Sequence, residues 1–230
     1  MAVPKITRRS LLAGTDDVSG PTIVIDTFRA FTTAAFLLDR GVDRIVLVES
    51  LNEARDRARS TPESILCGEE EGRRPDDFDL GNSPFDAERY PALEARIVVM
   101  RTSSGTRSVV NALRSGAEPV YAASLVVAGA TVSAVRDRTH VTIVASGLGG
   151  VTVADEDEET AGLIESRLLG HPDDPERIDR VRSGAGAERL STTQWIDPRD
   201  LDRCLEVDHF DFAMRVKLEY GVAVLRREES

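Results

Sequence analysis

From about residue 20 to residue 146 the chain alternates short apolar runs with longer stretches whose apolar residues recur every three or four positions. Thr22-Ile-Val-Ile-Asp26 is a continuous apolar run ending in an acid. Phe28 to Arg40 follows at helical spacing, with Gly41 as a stop. The same grammar predicts strands at Arg44 to Glu49, Ser64 to Cys67, Arg96 to Arg101, Val120 to Ala123 and Val141 to Ser146. Helices are expected at Leu51 to Arg59, Thr106 to Arg114 and Val126 to Arg136, and from Glu156 to about Leu169. His171-Pro-Asp-Asp-Pro175 breaks the chain, and the rest reads as mainly helical and charged, with a last strand at Gly221 to Leu225. Apolar strands alternating with amphipathic helices mean parallel strands with crossover helices on both faces, an α/β fold with a three-layer α/β/α sandwich. Residues 1–20 are expected as an N-terminal extension or edge strand, 21–170 as the α/β core with the site, and 171–230 as a mainly helical part packed on it. The whole reads as one unit or two closely packed subdomains.

Composition narrows the function. At 41% hydrophobic and 30% charged residues the chain is globular, and its apolar runs fall far short of a membrane span, which needs roughly 20 residues. A net charge of −11 repels a phosphate backbone, so nucleic acid is not an expected partner. Cys67 and Cys204 match no metal or redox spacing, which suits a reducing cytoplasm. Thr7-Arg-Arg-Ser-Leu-Leu12 looks like a twin-arginine export signal, but Gly14-Thr-Asp-Asp17 interrupts the apolar region such a signal needs, and a cytoplasmic location is expected.

In parallel sheets ligands gather beyond the carboxyl ends of the strands, and three loops there carry candidate chemistry. Asp26 ends the first strand and precedes a helix, which suits a metal ligand or general base, or equally an N-cap. Arg29, close behind it, is available to an anion or to Asp26. The second loop holds Gly68-Glu69-Glu70-Glu71-Gly72 and then Phe78-Asp79-Leu80-Gly81-Asn82-Ser83-Pro84. Its hard oxygens suit Mg²⁺ or Mn²⁺, or else form a solvated acidic loop with a turn at Asn82. The third loop, Thr102-Ser-Ser-Gly-Thr-Arg107, runs from a strand into a helix, the setting in which backbone amides hold an anion. It has neither Walker A nor GxGxxG spacing, and the chain has no HExxH or GxSxG motif.

Val24-Ile-Asp-Thr-Phe-Arg-Ala30, Gly68-Glu69, Phe78-Asp-Leu-Gly-Asn-Ser-Pro84, the Thr102 to Arg107 loop and Glu156-Asp157 with Ala161-Gly162 together resemble, in order, the 2-phosphosulfolactate phosphatase family. That family makes an intermediate of coenzyme M. The resemblance implies Mg²⁺-dependent hydrolysis of a small anionic phosphate ester, 2-phosphosulfolactate above all, by a dimer. It implies metal-binding and catalytic roles for Asp26, Glu69 and Asp79. Arg29, Asn82, Ser83, Ser104, Gly105, Thr106 and Arg107 would hold the phosphate. The pattern departs at Glu70, where the family places an arginine, at Ser104, where it places an asparagine, and at Ser124-Leu-Val-Val127, which lacks its Ser-Phe-Leu-Asn amide. These departures leave open a phosphatase for a sugar phosphate or nucleotide, or a non-catalytic anion-binding protein.

Overall fold

A computed structural model describes residues 3–229. Among them the strands form one sheet in the order β1-β7-β2-β6-β8-β9-β3-β5-β4. The strands are β1 (Lys5–Ser10), β2 (Gly20–Ile25), β3 (Arg44–Val48), β4 (Ile65–Gly68), β5 (Ile97–Arg101), β6 (Ala117–Ala123), β7 (His140–Ala145), β8 (Phe212–Glu219) and β9 (Val222–Glu229). The crossover helices are α1 (Ala30–Asp39), α2 (Leu51–Ser60), α3 (Pro84–Arg89), α4 (Gly105–Arg114), α5 (Ala128–Val135) and α6 (Asp155–Leu168), followed by α7 (Arg177–Ser183), α8 (Ala185–Thr192) and α9 (Arg199–Cys204). The expected α/β class and three layers are what the molecule has. The expected first helix starts at Ala30 rather than Phe28, and the expected Val126 helix splits into a 3-10 turn, Leu125–Val127, and α5.

The alternation of side chains along each strand divides the core between two faces. Val24, Ile45, Leu47, Val98 and Met100 pack with α1 and α4 on one face. Ile23, Ile25, Tyr121 and Ile143 pack with α5 and α6 on the other, where Val48 and Val99 meet α2. Residues 5–10, the twin-arginine stretch included, form the edge strand β1 and run parallel to β7. No described helix is long and apolar enough to cross a membrane.

The sheet is strongly curled. The loops after β2 and β5 belong to strands five places apart in the order, which in a flat sheet would separate them by about 24 Å. Instead the Gly105 amide lies 2.8 Å from an Asp26 carboxylate oxygen. Helix α4 fills the resulting hollow and touches β2, β3, β5, β6, β8 and β9.

Residues 171–230, expected as mainly helical, also supply the middle of the sheet. After α9 the chain enters β8, turns at Tyr220-Gly221 and returns as β9. Both turn residues have positive φ, 52° and 78°, as the tight two-residue hairpin turn that matches strand twist requires. β8 runs antiparallel to β6 and β9 antiparallel to β3, so the hairpin joins two parallel blocks. Its apolar residues Phe212, Met214, Val216 and Leu225 are completely buried in the α1/α4 core. Phe212→Ala is therefore expected to cost about 3–5 kcal/mol of stability, seen as a lowered urea midpoint.

Candidate active site

The carboxyl ends of β2, β4, β5 and β7 converge on a cavity of about 490 Å³. Asp26 lies at its base, 6% exposed, in the loop between β2 and α1 whose Phe28–Arg29 peptide bond is cis. One carboxylate oxygen accepts the Ala30 amide at 3.1 Å and the other accepts Gly105 at 2.8 Å. Asp26 thus caps α1 and also ties it to the start of α4. A Cβ on Gly105 would lie 2.8 Å from the Asp26 oxygen and 2.9 Å from its Cβ, so this approach needs glycine. Burial, with the nearby charges of Glu69 and Glu156, pushes the Asp26 carboxyl up to about 6 against the pull of the two amides.

Glu69 follows Gly68, whose φ of 137° and contact with Arg101 exclude a side chain: an added Cβ would sit 1.8 Å from the Arg101 carbonyl oxygen. The Glu69 carboxylate accepts the Ser103 amide at 2.5 Å, the Gly72 amide at 2.6 Å and the Ser103 hydroxyl at 3.0 Å. It therefore locks the acidic loop onto the loop after β5.

The first turn of α6 is Asp155-Glu-Asp-Glu158, a run of acids favoured by the positive end of the helix dipole. Successive residues splay by about 100° around the helix. Glu158 reaches Arg8 and Ser10, Glu156 lies 3.3 Å from Arg189, and Asp157 points inward. The buried Asp157 accepts the amides of Thr27 at 2.7 Å and Gly147 at 2.9 Å. Burial, and for Asp157 the neighbouring Asp26 and Glu156 charges, pushes the carboxyls of Glu156 and Asp157 above their usual range.

Arg29 is buried and donates to Asp200 on α9 at 2.7 Å. Asp200, fully buried, also accepts the Ser83 hydroxyl at 2.7 Å and the Phe85 amide at 3.1 Å. One carboxylate from the C-terminal part thus anchors an arginine after β2 and the N-terminus of α3.

Of the ten residues expected at the site, Asp26, Glu69, Arg29, Asn82 and Ser104 line the cavity. Asn82 is the most available, since its buried Oδ1 has no partner. Ser104 spends its hydroxyl on the Gly147 carbonyl at 2.5 Å. The structure places the other five outside the cavity lining. Asp79 is exposed and accepts the Leu66 amide at 2.8 Å, so it caps the outer edge of β4 while its neighbours Phe78 and Leu80 are buried. Ser83 caps α3, accepting Asp86 N–H at 3.1 Å. The Gly105 amide is taken by Asp26. Thr106 exchanges hydrogen bonds with Thr102, and Arg107 donates to the Ser103 carbonyl at 3.3 Å, outside the cavity lining. Among the described residues no three His, Cys, Asp or Glu side chains gather as a metal cage.

Two of the three departures from the family pattern also lie off the site. Glu70 is exposed, 3.9 Å from Arg101, and Val127 is buried in the core. Asp157, Glu156, Asp200, Arg189, Ser103 and Trp195 were not among the expected site residues. The acidic first turn of α6 was the visible signal for two of them. Asp200 meets partners 171 and 117 residues away, a distance no local pattern spans.

Because Asp26 holds its proton to about pH 6 in the fold and to about 4 in the unfolded chain, the native state binds more protons between those values. The contribution of Asp26 to stability therefore falls as pH rises through that window, by roughly 2–3 kcal/mol. Asp26→Asn is expected to flatten this slope in denaturation curves recorded in EDTA. Asp200→Ala would leave Arg29 buried without its partner and is expected to cost about 3–5 kcal/mol, measured by urea unfolding.

The family model for 2-phosphosulpholactate phosphatase matches residues 9–218. The chain is 35% identical over 160 residues to a probable 2-phosphosulfolactate phosphatase of Pseudothermotoga lettingae, covering 69% of this chain and 66% of that protein. It is 31% identical over 187 residues to one of Thermoplasma acidophilum, covering 81% of each. It is 28% identical over 213 residues to one of Bacillus subtilis, covering 89% and 90%. The chain thus spans about two thirds of the first of these relatives and more of the other two.

Proposed function

Since the chain belongs to the 2-phosphosulpholactate phosphatase family, we propose that it hydrolyses a small anionic phosphate monoester with the help of Mg²⁺. 2-Phosphosulfolactate, the substrate in its relatives' names, is the first candidate. The observation that carries this reading is the mixed charge of the cavity. Among the described residues its lining has five carboxylates, Asp26, Glu69, Glu71, Glu156 and Asp157, against two guanidiniums, Arg29 and Arg189.

Four of these carboxylates, Asp26, Glu69, Glu156 and Asp157, are buried, and such crowding of like charge out of water favours a bound cation. The donors present are hard oxygens of the kind Mg²⁺ prefers, and the unpartnered Asn82 Oδ1 adds a neutral one. Asp26 and Glu69 would hold the ion; Asp79 lies outside the cavity lining. When bound, Mg²⁺ supplies polarisation of a phosphoryl oxygen. Arg29, clamped by Asp200, offers a fixed cation for charge that grows on the phosphoryl oxygens as the ester bond breaks. Arg189 supplies a second cation on the α8 side, and Asn82 a polar contact. Asp157 acts by position, holding the Thr27 and Gly147 amides and with them the turns beside Asp26. The two buried thiols, Cys67 and Cys204, fit the cytoplasmic setting that goes with this reading.

The test is phosphate release from 2-phosphosulfolactate and a panel of other phosphomonoesters, with Mg²⁺ and with EDTA. Turnover is expected to vanish in EDTA and to fall roughly a hundredfold or more in Asp26→Asn. A folded protein that releases phosphate from no ester in Mg²⁺ would overturn the assignment in favour of an anion-binding protein.

A further inference from the structure

The cavity has two chemical sides. Its acids and arginines come from the loops after β2 and β4 and from α6 and α8. The same cavity also has an apolar lining: Leu148 and Val151 in the glycine turn after β7, and Trp195 and Ile196 in the segment between α8 and α9. Leu148 is 46% exposed, Val151 77% and Trp195 52%. The other large apolar side chains that the described surface exposes are Val3, Val153, Leu218 and Tyr220, so three of the seven line this one cavity. Leaving such groups in water costs about 25 cal/mol per Å² relative to burial, and their concentration in a concave site marks a place that a ligand covers. The Arg73 guanidinium lies 4.6 Å from the centre of the Trp195 ring and holds the indole at the mouth.

Size points the same way. A cavity of about 490 Å³ falls in the range that encloses ligands much larger than a three-carbon acid. The apolar side chains and the guanidiniums share one cavity. A ligand with its phosphate at Arg29 and Arg189 therefore has Leu148, Val151 and Trp195 within the same enclosure for its organic part.

Resting on the phosphatase reading, the geometry points to a second substrate class beside the compact anionic ester: phosphate monoesters with an apolar body of phenyl or cyclohexyl size. Trp195, Leu148 and Val151 set that preference. The reaction is the same hydrolysis. A water oxygen bonds to phosphorus, the ester P–O bond breaks, and the leaving oxygen takes a proton, giving the alcohol and inorganic phosphate.

The experiment compares kcat/KM for benzyl phosphate and glycerol phosphate, with Mg²⁺, in the natural chain, Trp195→Ala and Trp195→Phe. The natural chain is expected to favour the benzyl ester about tenfold or more. Trp195→Ala should lower that ratio at least tenfold through KM for the benzyl ester, and Trp195→Phe should restore most of it. A ratio near one in the natural chain, or an equal loss for both esters in Trp195→Ala, would overturn the proposal. Trp195 is the chain's single tryptophan, so its emission separates binding from turnover. If no ester, 2-phosphosulfolactate included, is hydrolysed, yet emission titrates with benzyl phosphate ahead of glycerol phosphate, the phosphatase reading fails and the apolar seat stands. If emission responds to neither ester, the seat falls as well. A ratio left intact while Trp195→Ala converts a dimer to a monomer on sedimentation assigns the wall to a second copy and refutes the proposal.

Discussion

One carboxylate held by two backbone amides fixes the geometry of the site. Asp26 accepts the Ala30 amide with one oxygen and the Gly105 amide with the other, and those amides open helices that follow strands five places apart in the sheet. The contact exists only because the sheet curls around α4, and it admits no side chain at position 105. An anion at the start of a helix is stabilised by free N–H groups and by the helix dipole. Asp26 draws on two such starts at once. Two of the amides that the loop after β5 was expected to offer a phosphate are already engaged by protein carboxylates, Gly105 by Asp26 and Ser103 by Glu69. Among the described residues that line the cavity, the cations are the guanidiniums of Arg29 and Arg189.

That arrangement has an energetic cost, and the cost locates the chemistry. Asp26, Glu156 and Asp157 are all buried and all pushed toward protonation. Arg189 relieves Glu156 in part, at 3.3 Å, whereas Asp26 and Asp157 are held by backbone amides. Three desolvated acids with raised affinity for protons, set in a cavity at the carboxyl edge of a sheet, are what marks this place as the candidate site. The buried Arg29–Asp200 pair is the counterweight, since it supplies a cation whose position does not depend on what the acids bind.

The sequence spoke most clearly where structure is local. Strand runs such as Thr22 to Ile25 and helices with three- or four-residue periodicity were legible because burial on both faces demands unbroken apolar strands. Asp26, Glu69 and Asn82 were legible because strand ends and their loops are where a parallel sheet exposes ligands. Asp79 falls outside the cavity because the same loop does two jobs: Phe78 and Leu80 enter the core, Asp79 between them caps a strand edge, and Asn82 turns into the cavity. Thr106 and Arg107 fall outside it because a hydroxyl-rich βα turn can satisfy itself: Thr106 bonds Thr102, and Arg107 donates to the Ser103 carbonyl. The hairpin was half visible. The apolar positions 212, 214, 216 and 218 have the period of a strand, but Tyr220-Gly221 lacks the usual Asn or Asp of a tight turn, and nothing local says that the last strands sit in the middle of the sheet. Asp200 was invisible, because its partners are brought to it by tertiary folding alone.

The hairpin's central place explains how a stretch remote from the chemistry shapes it. The block β1-β7-β2-β6 carries Asp26 and, through the loop after β7 and α6, Asp157. The block β3-β5-β4 carries Glu69, Asn82 and Ser103. Without β8 and β9 these blocks would be two small parallel sheets with unpaired edges. With them, two antiparallel ladders set the spacing and twist between the half-sites, and curl accumulates strand by strand across the seam. Two further ties close the circuit at the carboxyl edge: α4 crosses the hollow to bring Gly105 from one block to Asp26 of the other, and Asp200 binds Arg29 of the first block to Ser83 beyond β4 of the second. The C-terminal residues thus work on the cavity from both ends, as the seam that bends the sheet and as the anchor that holds its cation.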